Sequence, residues 1–323
     1  MGNINERIEA PTGPCVSLGP PLPFFICLGS YKMAVPGAII RVLYMRFSSF
    51  SINGASAYGS VAAGRVQIPP EGFRIRYPDL KSAIAGGVLA EAASAGDSLD
   101  AESVNFEPVI PNAGKIFGVG MNYMAHIKEM GREPPTHPAL FVRFSDSLVG
   151  HREPVVRPSA STHYDFEGEL AVIIGKTARH VSAARALDYV AGYACFLDGS
   201  VRDYQRHTSQ FVAGKNFRKS GAFGPWLVTT DEIPNPSVLK LQTRINGEIM
   251  QRGHVGDLCI GVPELIEYLS TICQLDPGDV IATGTPSGVG AARDPQRWLL
   301  PGDFVEVDID GIGILENVVE DET

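Results

Sequence analysis

The residues best suited to chemistry in this sequence are three acids. Glu167 and Glu169 stand two apart in "YDFEGELAVIIG", at the mouth of an apolar run, and Asp198 closes a second apolar run in "VAGYACFLDGSVRDYQ", followed at once by Gly199. In a strand, side chains at i and i+2 share a face, so Glu167 and Glu169 project together. Carboxylates held that close repel unless a cation lies between them or one takes a proton. Gly168 leaves the opposite face open to close approach. Three hard oxygen donors, with no thiol or paired histidine nearby, suit Mg²⁺ or Mn²⁺, Ca²⁺ less well, and zinc poorly.

The elements that must hold these acids can be read in outline. The chain has 323 residues with 44% hydrophobic content, enough for a sizeable core in one large domain or two smaller ones. Residues 1–44 are rich in proline and glycine and read as a poorly ordered, catalytically silent extension. Their apolar stretch is interrupted by Lys32, Pro36 and Arg41, too short for a membrane span, and no basic leader precedes it. Residues 45–104 read as a small domain of short strands, with an Asn-Gly turn at Asn53, then one helix over "YPDLKSAIAGGVLAEAAS". Residues 105–323 read as a strand-rich catalytic domain. Its clearest helix is "GVPELIEYLSTICQ", with Pro263 near the start and Leu265, Ile266, Leu269 and Ile272 forming an apolar face. Its last hairpin turns at Asp310-Gly311. Strands dominate without regular alternation with helices, which predicts an α+β fold.

Several functions are excluded at this level. A net charge of -9 with no basic block argues against a nucleic-acid partner. The five cysteines are scattered and unpaired by spacing, which argues against a disulfide framework or zinc site and fits a reducing, cytoplasmic setting. Tyr123 stands where "GVGMNY" would need its third glycine to bind a dinucleotide, and "TGTPSGVG" lacks the Lys-Ser/Thr of a phosphate-binding loop.

Taken in order, "GVGMNYMAHIKEMG", "YDFEGELAVIIGK", "GYACFLDGSVRDYQ", "GKNF" and "ATGTPSGVG" resemble the fumarylacetoacetate hydrolase superfamily, strongly over about 115–318. The resemblance implies a mixed β-roll catalytic fold, a homodimer, and a divalent metal on Glu167, Glu169 and Asp198. It implies substrate contacts from Arg202 and Thr285 to a keto-acid carboxylate, with Gln205 beside the metal and Lys215 adding positive charge against a developing oxyanion. His126 and Glu129 match a His–Glu pair on a short lid helix. Three residues apart, they share a face if that segment is helical, and a histidine oriented by a carboxylate is a sensible general base for water.

This chain departs from the family pattern at Leu197, at Asn216-Phe217-Arg218 after Lys215, and at Arg143-Phe144, where Arg143 is expected to read a distal substrate carboxylate. The leading expectation is a metal-dependent hydrolase cleaving a C–C bond in acylpyruvates or related 2,4-diketo acids. The alternative is a decarboxylase or keto–enol isomerase of oxaloacetate-like or 2-hydroxydiene-dioate substrates, since all of these pass through one enolate. A third possibility is a catalytically silent metal- or ligand-binding relative.

Overall fold

The computed structural model describes residues 34–35, 38–39, 45–93 and 96–323. Ala34–Val35 and Ala38–Ile39 pair antiparallel within the unit Met1–Leu43. The rest of the expected extension lies outside the described residues. All other described elements belong to the unit Tyr44–Thr323.

Strand Gly168–Ile174 is the spine of a twelve-stranded sheet. On one side it pairs antiparallel with Val190–Leu197, and on the other with Val280–Ala282, which in turn runs parallel to Ile116–Gly120. Every residue of 168–174 is buried, because both faces of the sheet are covered. Leu170 and Val172 face a five-stranded sheet and pack with its Leu241, Val307 and Leu315, while Ala171 and Ile173 belong to a second core shared with Leu80 and Ile84. A strand covered on both faces reads as a continuous apolar run, which explains why "LAVII" shows no alternation. The second sheet, in the order 155–157, 313–321, 304–309, 240–245, 248–254, keeps the alternation of a half-exposed surface in Phe304–Ile309. The two sheets approach so closely at Gly168 that a Cβ there would lie 2.1 Å from Thr243 Oγ1. The fold is α+β and mixed.

Residues 45–104, expected as a small domain, add their strands to the large sheet: Arg46–Ile52 pairs antiparallel with Gly221–Thr229. Asn53 and Gly54, with φ of 51° and 80°, turn Arg46–Ile52 into Ala55–Ala62 as expected. The structure corrects two local expectations. Glu71–Arg76 is helical rather than extended, and the single helix expected after Pro78 is two, Leu80–Ala85 and Leu89–Ala92. Asp79 caps the first through Ser82 N at 2.7 Å, and Gly87 at φ 66° ends the run, a conformation glycine adopts without strain. Helix Val262–Ile272 buries Leu265, Ile266 and Leu269, but Ile272, its last residue, is 57% exposed.

Candidate active site

The acids converge where strand 168–174 begins and strand 190–197 ends. Glu167, Glu169 and Asp198 are buried, and one carboxylate oxygen of each lies within 4.8 Å of the others. Asp198 N bonds Glu167 O at 2.8 Å, which ties the two strand ends together. The pairing Gly168↔Leu197 then sets the third acid beside the first two.

The charge that balances them comes from three buried cations. Lys215 Nζ donates to Glu167 Oε2 at 2.6 Å, to Asp198 Oδ2 at 2.5 Å and to Ser200 Oγ at 2.7 Å, and sits 4.9 Å from the centre of the Phe141 ring. Arg202 donates to Glu167 Oε1 at 2.7 Å and to Asp165 Oδ2 at 2.8 Å. Arg143 donates to Asp198 Oδ1 at 2.5 Å. Asp165, which also accepts from Gly290 N and Ala291 N, completes a cluster of four acids and three bases, all nearly inaccessible to solvent. Its formal sum is four minus against three plus, leaving one negative charge.

The acid left over in that sum is Glu169. No described cation pairs with it, and its hydrogen bond comes from Gly284 N at 2.8 Å. Burial, with Asp198 and Glu167 beside it, pushes its carboxyl well above the ordinary carboxylate range. Burial would push Glu167 the same way, but Arg202 and Lys215 outweigh it and hold that carboxyl well below the range. Three converging hard oxygens, one of them without a partner cation, fit a divalent ion of the Mg²⁺ or Mn²⁺ type, which Glu167, Glu169 and Asp198 would hold.

Glu167 and Glu169 form the floor of a cavity of about 430 Å³, which His126, Arg202, Gln205, Lys215 and Thr285 also line, with Phe141 and Phe211 among its apolar walls. His126 lies on helix Met124–Glu129 and is 6% exposed; its Nδ1 is 3.2 Å from Glu129 Oε2. A carboxylate at Nδ1 favours the tautomer with the proton there, leaving Nε2 as acceptor. The other Glu129 oxygen accepts from Gly288 N at 2.9 Å, fastening the helix to the 283–290 loop. Gln205 Oε1 accepts from Arg202 at 3.0 Å. The Thr285 hydroxyl donates to Gly168 O at 2.9 Å.

Arg143 has a different place from the one expected. It does not line the cavity but stands behind the acids, its guanidinium spent on Asp198, Gly199 O, Ser147 and Ser220 Oγ. No nitrogen is left for a substrate carboxylate; its charge stabilises Asp198. Two further residues of the site were missed in the sequence. Asp165 is two residues before Glu167, so the same period-two alternation that pairs the glutamates extends to it. Gln251, on strand Glu248–His254, bonds Gly168 and Thr285, and nothing in its local pattern marks it.

A mixed sheet whose strand ends present three buried carboxylates beneath a short helix bearing a His–Glu pair defines a class of metal-site enzyme folds. Residues 115–320 match the family model for the fumarylacetoacetate (FAA) hydrolase C-terminal domain, and the chain belongs to that family. The human mitochondrial oxaloacetate tautomerase FAHD2A is 40% identical over 223 residues, 68% of this chain and 71% of its own length. The oxaloacetate tautomerase YisK of Bacillus subtilis (strain 168) is 41% identical over 220 residues, 67% of this chain and 73% of its own. The solved structure of the fumarylacetoacetate hydrolase of the psychrophile Exiguobacterium antarcticum superposes with a TM-score of 0.74 at 33% identity, over 86% of this chain and 100% of that one.

Proposed function

We propose that this protein is a divalent-metal-dependent keto–enol tautomerase of oxaloacetate-like 2-keto acids. The observation that carries this reading is His126, bonded through Nδ1 to Glu129 and presented to a cavity whose floor holds Glu167 and Glu169 of the acidic triad. A metal held by Glu167, Glu169 and Asp198 would supply Lewis-acid stabilisation of enolate charge. The protein's own residues do the rest. Nε2 of His126 takes a proton from C3, the C3–H pair becomes the C2–C3 double bond, and the former carbonyl oxygen takes a proton from water to give the enol, the imidazolium returning its own proton to the hydroxide left behind. Glu129 orients the imidazole. Arg202, whose Nη2 is buried and without a hydrogen-bond partner among the described residues, offers a donor to the substrate's 1-carboxylate. The two tautomerases at about 40% identity support this reaction.

A second reading, C–C hydrolysis of an acylpyruvate, is favoured by the cavity, whose volume of about 430 Å³ falls in the range of sites for drug-sized ligands and exceeds the needs of a four-carbon diacid. There His126 would take its proton from water instead. The two are separated by incubating Mn²⁺-loaded protein with enol oxaloacetate and with acetylpyruvate. Accelerated loss of the enol absorbance, with oxaloacetate conserved, is expected. Release of acetate and pyruvate from acetylpyruvate, with no effect on the enol, would move the protein to the second reading.

A further inference from the structure

We propose that Gln251 is a positioning residue of the metal site, setting the geometry of Glu167 and Glu169 through the glycine between them; this rests on the metal reading of the triad. Gly168 has no side chain to fix it and cannot acquire one, because Thr243 occupies the space a Cβ would need. Its two backbone groups are held instead by a closed ring of hydrogen bonds. Gly168 N donates to Gln251 Oε1 at 3.0 Å, Gln251 Nε2 donates to Thr285 Oγ1 at 2.8 Å, and the Thr285 hydroxyl donates back to Gly168 O at 2.9 Å. A second bond from Nε2 to Pro286 O at 2.9 Å completes the amide. The orientation of the amide is fixed by chemistry: a backbone N–H can only donate and a proline carbonyl can only accept, so Oε1 must face Gly168 and Nε2 must face Pro286.

Gln251 is 1% exposed and stands on the second sheet, whereas Gly168 begins the spine strand of the first and Thr285 lies in the loop after Val280–Ala282. One side chain therefore joins three elements at the peptide units that aim two metal-ligating carboxylates. Outer-shell contacts of this kind are worth about 10- to 100-fold in metal affinity when removed.

The test compares Gln251→Met, Gln251→Glu and Asn317→Leu in the full-length chain. Asn317 is an equally buried amide that bonds the carbonyls of Gly150 and Glu153 and touches none of the acids, so its loss reports on stability alone. Mn²⁺ alone is titrated calorimetrically, and hydrogen exchange is followed in peptides covering 166–170 and 284–288. Gln251→Met is expected to weaken Mn²⁺ by about tenfold or more and to raise exchange in both peptides, with Asn317→Leu changing neither. Gln251→Glu keeps an acceptor for Gly168 and loses both donors, so exchange should rise at 284–288 and stay low at 166–170. That split carries the test if Gln251→Met does not fold. Unchanged Mn²⁺ affinity and local exchange in Gln251→Met would overturn the proposal, as would equal weakening by Asn317→Leu. If the unaltered protein binds no Mn²⁺, the metal reading falls, and the exchange pattern still decides whether Gln251 clamps Gly168.

Discussion

The floor and the lid of this cavity are built on opposite principles. The floor is a lattice of charges: Glu167, Asp198 and Asp165 each meet a buried cation, and each of these acids stands in a strand end or immediately beside one. The lid is a six-residue helix, Met124–Glu129, whose side-chain tie to the opposite loop is a single carboxylate oxygen on Gly288 N. Charge that must be held still is placed where the backbone is already paired on both sides. Under the proposed function, the base that meets substrate stands on the element with the fewer side-chain ties.

The largest expected effect comes from breaking the floor. Glu169→Ala should abolish Mn²⁺ binding in calorimetry and lower kcat about a thousandfold or more, since several kcal/mol of transition-state stabilisation leave with the cation. Breaking the lid should separate the two regions: His126→Ala is expected to cost about 10²- to 10⁴-fold in kcat while Mn²⁺ affinity stays unchanged. Retained turnover in that variant would show that proton transfer does not depend on the lid. Arg143→Leu leaves Asp198 with a buried charge short of one partner and should lower the unfolding free energy by about 3–5 kcal/mol, measured by urea denaturation. A smaller loss would mean that Lys215 alone neutralises Asp198.

The smallest effect sharpens the comparison by setting a background that belongs to neither region. His151, packed edge-on to Phe106 with ring centroids 5.3 Å apart, has its pKa lowered by burial to about 4. Its folded value lies below its unfolded one of about 6.5, so the neutral form stabilises the fold above pH 6.5, and that contribution is lost as the pH falls toward 4. The loss amounts to about 3 kcal/mol, and a His151→Phe variant should lack it. Acid instability that persists in the variant then belongs to other groups, the floor among them.

What could be read in the sequence was local. The i, i+2 spacing of Glu167 and Glu169 straddles the start of one strand, and the i, i+3 spacing of His126 and Glu129 is a property of one helix; both survive folding because each depends only on a few neighbouring residues. The hairpin at Asp310-Gly311 and the helix over Val262–Ile272 were legible for the same reason. What could not be read was long-range. Arg143 meets Asp198 across 55 residues and Lys215 meets Glu167 across 48, and no periodicity records such separations. The charge of Arg143 was therefore legible, but not that it would face inward, toward an acid, rather than toward the cavity. The two helices after Pro78 read as one because Gly86-Gly87 is tolerated in a helical pattern, whereas the backbone leaves the helix at Gly87 and Val88.

The loop from Thr283 to Gly290 carries a consequence for anyone who would rebuild this protein. Gly284 N reaches Glu169, Thr285 reaches Gly168, Gly288 N reaches Glu129 and Gly290 N reaches Asp165. Floor and lid are thus read off one short ribbon in fixed order. A single inserted residue in its middle would move the later contacts out of phase with the earlier ones. Loop exchange between relatives must therefore carry this segment whole, at unchanged length, while the exposed turn at Asn53-Gly54 is free to vary.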